Sequence, residues 1–149
     1  MHFLDEGKGD PLLFVHGNPT WSFYWRRLVG EFSGTHRCVA GDHLGCGRAD
    51  KPGAVEDYTY ERHMEWTRSV LLDALDLQDI TLVCQDWGGL IGLRLAAENP
   101  SRFANLVAAN TGTGIHLSGP SNNRIQGNYI GTRWDGGVAL GNSDRGVLV

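Results

Sequence analysis

The segment Cys84-Gln85-Asp86-Trp87-Gly88-Gly89 follows the apolar run Ile80-Thr81-Leu82-Val83 and leads into a helical pattern ending at Glu98. A carboxylate at the apex of a tight strand-to-helix turn can act as a nucleophile, provided the residues two before and two after it are small. Cys84 and Gly88 meet that demand, and Gly89 and Gly92 permit close packing of the helix. The pattern also fits an Asp that merely caps the helix, and the segment alone leaves both roles open. A second loop, His16-Gly17-Asn18-Pro19-Thr20-Trp21, ends the apolar run Leu12 to Val15 and can turn amide N–H groups toward the same place.

The elements that must position these loops alternate. Leu12 to Val15 predicts a buried strand, Trp21 to Phe32 a helix, and Arg37 to Ala40 a second strand. A polar, Gly-rich loop from Asp42 to Asp57 follows, then a helix from Tyr60 to Leu77 with Met64, Val70, Leu71, Ala74 and Leu75 on one face. Ile80 to Cys84 is the third strand, Gly88 to Glu98 the third helix and Phe103 to Ala109 the fourth strand. Strands alternating with helices predict an α/β fold: a parallel sheet covered on both faces, with ligands at the carboxyl ends of its strands.

Length and composition set the bounds. The 149 residues suffice for one ordinary domain, and 13 Lys+Arg against 17 Asp+Glu leave a net charge of −4. Without a basic cluster the chain does not read as a nucleic-acid or membrane-surface binder, and no apolar run approaches the roughly 20 residues of a membrane span. The start, Met1-His2-Phe3-Leu4-Asp5-Glu6, has no basic and apolar leader pattern. Cys38, Cys46 and Cys84 have neither disulfide-framework nor metal-ligand spacing. A cytoplasmic setting with free thiols is therefore expected, and neither a metal nor a cofactor.

HGNPTW, GDHLGCGRADKP and VCQDWGG, in this order, resemble the haloalkane dehalogenases of the α/β-hydrolase superfamily over about residues 2–112. The resemblance implies that Asp86 is the nucleophile and that the backbone N–H groups of Trp87 and Asn18 form an oxyanion hole. It implies further that the Trp87 indole holds the departing halide, with the Asn18 amide as second donor. An acid suits this chemistry. Attack on an sp³ carbon by serine would leave an ether, which water does not cleave, whereas a carboxylate leaves a hydrolysable ester. The substrate implied is a small apolar halogenated molecule, with halide as product. Epoxide hydrolases and β-lactone-cleaving relatives share the aspartate and are the alternatives within the enzyme class. His16 is expected to shape its turn, Asp42 and His43 to shape a loop beside the site, and Trp21, Tyr24 and Trp25 to pack the first helix. Cys84 is expected to serve as a small residue.

Full members of that family carry a histidine base and an orienting acid after the nucleophile. The one histidine beyond Asp86 is His116, and Asn110 stands at one position where relatives place the acid. The chain therefore reads as about half of such an enzyme, with impaired turnover and Met1 as an internal start. Texture changes near Thr111: residues 1–111 hold all but five of the charges, while Gly and Asn crowd residues 112–149. The stretch from 113 resembles a coil of the right-handed parallel β-helix of pectate-lyase-like repeat proteins. A disordered Gly-rich tail is the alternative. A chimeric, non-catalytic fusion fragment with a β-helix end is accordingly the second class of function, and the oligomeric state is not legible.

Overall fold

The computed structural model describes residues 1–108 together with the pairs 115–116, 129–130 and 147–148. Its main sheet runs β1 (His2–Glu6), β3 (Arg37–Asp42), β2 (Pro11–Val15), β4 (Ile80–Cys84), β5 (Phe103–Ala108) and β7 (Tyr129–Ile130), in that spatial order. Strands β3, β2, β4, β5 and β7 run parallel to one another. A separate pair joins β6 (Ile115–His116) to β8 (Val147–Leu148).

The four expected strands are parallel, but the sheet as a whole is mixed, because β1, a strand not expected from the sequence, pairs antiparallel with β3. That strand lies at an edge, and the pattern of a buried parallel strand, a continuous apolar run, is absent from it. Gly7 and Gly9, both at positive φ, turn the chain from β1 toward β2. Of the tail, only three two-residue strands are described, and the β-helix-like coil expected from 113 otherwise lies outside the described residues, as does Asn110.

Two apolar clusters sandwich the sheet. Period-2 alternation sends Leu13 and Val15 to one face and Leu12 and Phe14 to the other. The first face is covered by α2 (Tyr60–Thr67), its continuation Arg68–Ala74, and α3 (Trp87–Glu98), through Met64, Leu71, Leu72, Ile91 and Leu95. The second is covered by α1 (Arg26–Phe32), through Val29, and by Trp25 just before it.

Both amphipathic helices depart from their expected form. The segment from Trp21 opens as a 3-10 turn, Ser22–Trp25, because the Asp42 carboxylate takes the Ser22 N–H at 2.7 Å and anchors the chain there. The expected helix to Leu77 is α-helical to Thr67 and then widens into π-helical turns to Ala74, where Leu75 N–H reaches back to Val70 O. Thr59 caps the start of α2 by accepting from Arg62 N–H.

Candidate active site at the ends of the central strands

Register brings the two loops together. Val15 lies opposite Cys84 across β2 and β4, so the strands end level and His16-Gly17-Asn18 emerges beside Gln85-Asp86. Glycine is required at both contacts. A Cβ on Gly17 would sit 2.6 Å from the Asp86 Cβ, and one on Gly88 would sit 2.1 Å from the Val15 carbonyl oxygen. The start of α3 is thereby pressed onto the end of β2.

Asp86 itself has φ 54 and ψ −127, a backbone conformation that L-residues rarely occupy. Its side chain does not cap α3. Instead Oδ1 accepts the backbone N–H of Asn18 at 3.2 Å. Strain of this kind persists where the surroundings over-determine it, and it clusters at reactive centres.

Beside Asp86 lies a cavity of about 350 Å³, lined among others by Gly17, Asn18, His43, His63, Trp87 and Ile91. Asn18 and Trp87 thus face one space. Trp87 is 41 % exposed, and the Tyr60 ring meets it edge-on at 6.4 Å. Tyr60 is held in turn by donating its hydroxyl to Leu90 O.

His16 and His43 form a fixed pair. His16 Nδ1 lies 2.8 Å from Gly17 O and must be its donor, since a carbonyl only accepts, which leaves Nε2 to accept the His43 N–H at 3.0 Å. His43 Nε2 likewise donates to His16 O at 3.1 Å. Burial drives the His43 imidazole down to about 3, with His16 adding to the effect. Burial also lowers His16 and His63. All three imidazoles are neutral at pH 7.

Asp42 is fully buried at the end of β3, where Oδ1 accepts from Ser22 N–H and Oδ2 from Arg48 N–H at 2.9 Å. His2 Nδ1 lies 3.0 Å from the same Oδ2. Burial opposes its charge more than any single contact favours it, but the hydrogen bonds from Arg48, Ser22 and His2 together hold its carboxyl below the usual range. Asp42 thus ties the segment after Asn18 to the loop that carries Cys46. Trp25 packs on Phe14 in the core, whereas Tyr24 is exposed. The Cys84 thiol is buried, pushed up to about 12, and donates to Val107 O. Among the described residues no group of three or more His, Cys, Asp or Glu side chains could hold a metal ion, and no helix is long and apolar enough to cross a membrane.

Sequence reasoning missed four features here. Gly17 carries a weak signal, as a glycine directly after a buried strand. The clamp on Asp42, and the approach of Tyr58 and His63 to the cavity, depend on contacts between distant segments and leave no local trace.

A carboxylate on a strained strand-to-helix turn, at the carboxyl end of a sheet covered by helices on both faces, defines a class of hydrolytic scaffold. The sequence profile of the α/β-hydrolase fold matches residues 10–146, and the chain belongs to that family. Its relatives include a haloalkane dehalogenase of Psychrobacter cryohalolentis, 54% identical over 114 residues, which covers 74% of this chain and 37% of that protein. A cis-3-alkyl-4-alkyloxetan-2-one decarboxylase of Shewanella oneidensis is 47% identical over 119 residues, covering 78% and 37%. Among solved structures, the tetrameric haloalkane dehalogenase of Paraglaciecola agarilytica matches with a TM-score of 0.70 at 39% identity, over 73% of this chain and 38% of that one. A mutant epoxide hydrolase of Bacillus megaterium matches with a TM-score of 0.67 at 34% identity, over 74% and 39%. The chain thus spans little more than a third of the length of these relatives.

Proposed function

We propose that the chain carries the nucleophilic half of a haloalkane-dehalogenase site. The observation that supports this best is the Asn18 N–H held on Oδ1 of Asp86 at a strained turn. A carboxylate oxygen of Asp86 attacks the halogen-bearing carbon from behind. A C–O bond forms as the C–halogen bond breaks, and the halide leaves with the bonding electrons. The oxygen bound by Asn18 becomes the ester carbonyl oxygen, and its N–H, with that of Trp87, serves as the oxyanion donor. The Trp87 indole and the Asn18 amide receive the halide. The substrate is a small apolar haloalkane, and the reaction calls for no cofactor. The three unbridged cysteines support a cytoplasmic setting.

Hydrolysis of the ester needs a base. His16 has both ring nitrogens engaged, and His43, with the His63 ring packed beside it, follows β3, about two strand spacings from Asp86. The 149-residue polypeptide is therefore expected to alkylate once and deacylate slowly, since general-base assistance is worth about 10²- to 10⁴-fold. Incubation with 1-bromobutane followed by peptide mass spectrometry should find one butyl group on the Asp86 peptide and about one bromide per chain. Many bromides per chain would refute the stalled ester, and no adduct would refute the nucleophile.

A second reading, cleavage of β-lactones by the same aspartate, is favoured by the similarity to the oxetanone decarboxylase. The compositional break at Thr111 supports a division into a hydrolase part, 1–111, and a Gly/Asn-rich segment, 112–149, read as β-helix-like or as a disordered tail, although β7 within it pairs with β5 of the main sheet.

A further inference from the structure

The cavity reaches well beyond Asp86. Asp86 follows β4 and His43 follows β3, with β2 between them, so about two strand spacings, roughly 10 Å, separate these positions. Asn18 and Trp87 line the cavity beside Asp86, whereas His43 lines it from the end of β3, with the His63 ring packed against its own.

The far end has unused hydrogen-bonding capacity. Because His43 Nε2–H donates to His16 O, its Nδ1 bears a lone pair. That atom is buried without a hydrogen-bond partner among the described residues, on a residue only 6 % exposed. Buried polar atoms are nearly always paired, and an unpaired one beside a cavity points to a donor brought by a ligand. His63 packs edge-on against His43, with ring centroids 5.9 Å apart, and lines the same cavity. Its ring nitrogens make no hydrogen bond among the described residues. A neutral imidazole offers one donor and one acceptor, so the two rings together present both functions to a ligand.

We propose that the His43–His63 end of the cavity is a subsite for a hydroxyl at the far end of the substrate, so that the site takes ω-haloalkanols in preference to haloalkanes of equal length. This rests on Asp86 as the nucleophile at the halogen end. The hydroxyl donates to an imidazole lone pair and accepts from the N–H of His63. A chain of about six carbons roughly spans the two strand spacings. An apolar tail would leave these nitrogens unpaired, and sites built to bond a hydroxyl discriminate strongly against analogues that lack it.

Two measurements test the subsite separately from the nucleophile. Hexane-1,6-diol has no leaving group, and its titration into the 149-residue chain carrying ¹⁵N-histidine should shift the ring nitrogens of His43 and His63. The shifts should vanish in His63→Leu. Alkylation by 6-bromohexan-1-ol should run at least roughly tenfold faster than by 1-bromohexane, and His63→Leu should bring the two rates together. Ring nitrogens that do not move, or a rate ratio unchanged in the variant, overturn the subsite. Ring nitrogens that move while neither bromide leaves an adduct overturn the Asp86 reading and support the subsite.

Discussion

Asn18 and Asp86, 68 positions apart in sequence, are joined by a 3.2 Å hydrogen bond from backbone N–H to carboxylate Oδ1. The bond exists because β2 and β4 are adjacent and end in register, Val15 opposite Cys84. Gly17 and Gly88 then let the two loops touch without a Cβ between them.

The turn at Asp86 should be strained in a measurable way. With φ at 54 and ψ at −127, any L-residue is disfavoured there. Asp86→Gly should therefore be more stable than Asp86→Ala by about 1–3 kcal/mol, although both lose the carboxylate equally. Urea denaturation of the two variants measures the difference. Equal stabilities would mean that the turn stores no strain.

Neighbouring glycines of α3 should respond with opposite signs. A Cβ at Gly88 would press on the Val15 and His16 carbonyl oxygens, and backbone cannot rotate away, so Gly88→Ala should cost about 3 kcal/mol or more. A Cβ at Gly89 would meet nothing within 4 Å. Gly89→Ala should gain up to about 1 kcal/mol from helix propensity. Thermal midpoints of both variants would show it, and a destabilised Gly89→Ala would contradict the packing described.

Acid should weaken the fold well above the carboxylate range. The His43 imidazole titrates near 3 when folded and near 6.5 when unfolded, so the unfolded chain binds the extra proton between those values. Stability is complete above about pH 6.5 and declines as pH falls toward 3, by on the order of a few kcal/mol in total. His16, also lowered by burial, acts in the same direction. Asp5 and Asp42 are held below their usual value and contribute loss only at lower pH, so the window from about pH 6.5 to 4.5 isolates the histidines. Urea midpoints that stay flat across that window would refute the buried neutral pair.

Asp42→Asn should loosen both loops it clamps. An amide has one acceptor oxygen, so either Ser22 N–H or Arg48 N–H would face an NH₂ group. The expected cost is about 2–4 kcal/mol, from a lost charge-assisted bond and an unsatisfied donor. Amide hydrogen exchange should accelerate most at whichever of Ser22 and Arg48 faces the NH₂ group. Unchanged exchange at both would show that neither N–H depends on the carboxylate.

The sequence alone determined what is written locally. Near-continuous apolar runs marked β2, β3 and β4, because strands buried on both faces tolerate little else. The small-x-Asp-x-small pattern after β4 marked the turn at Asp86, because a tight strand-to-helix turn admits nothing larger. Tertiary structure decided the rest. Edge strand β1, half solvated, lacks the buried-strand pattern, and its antiparallel pairing is a contact with β3 rather than a property of its residues. The 3-10 turn at Ser22 follows from an acceptor twenty residues away on Asp42. The Asn18–Asp86 bond, the His16–His43 pair and the approach of His63 to the cavity depend on which strand ends lie side by side and level. Strand order and register are long-range choices, made by the burial of whole faces, and a one-residue slip would send every one of these groups elsewhere.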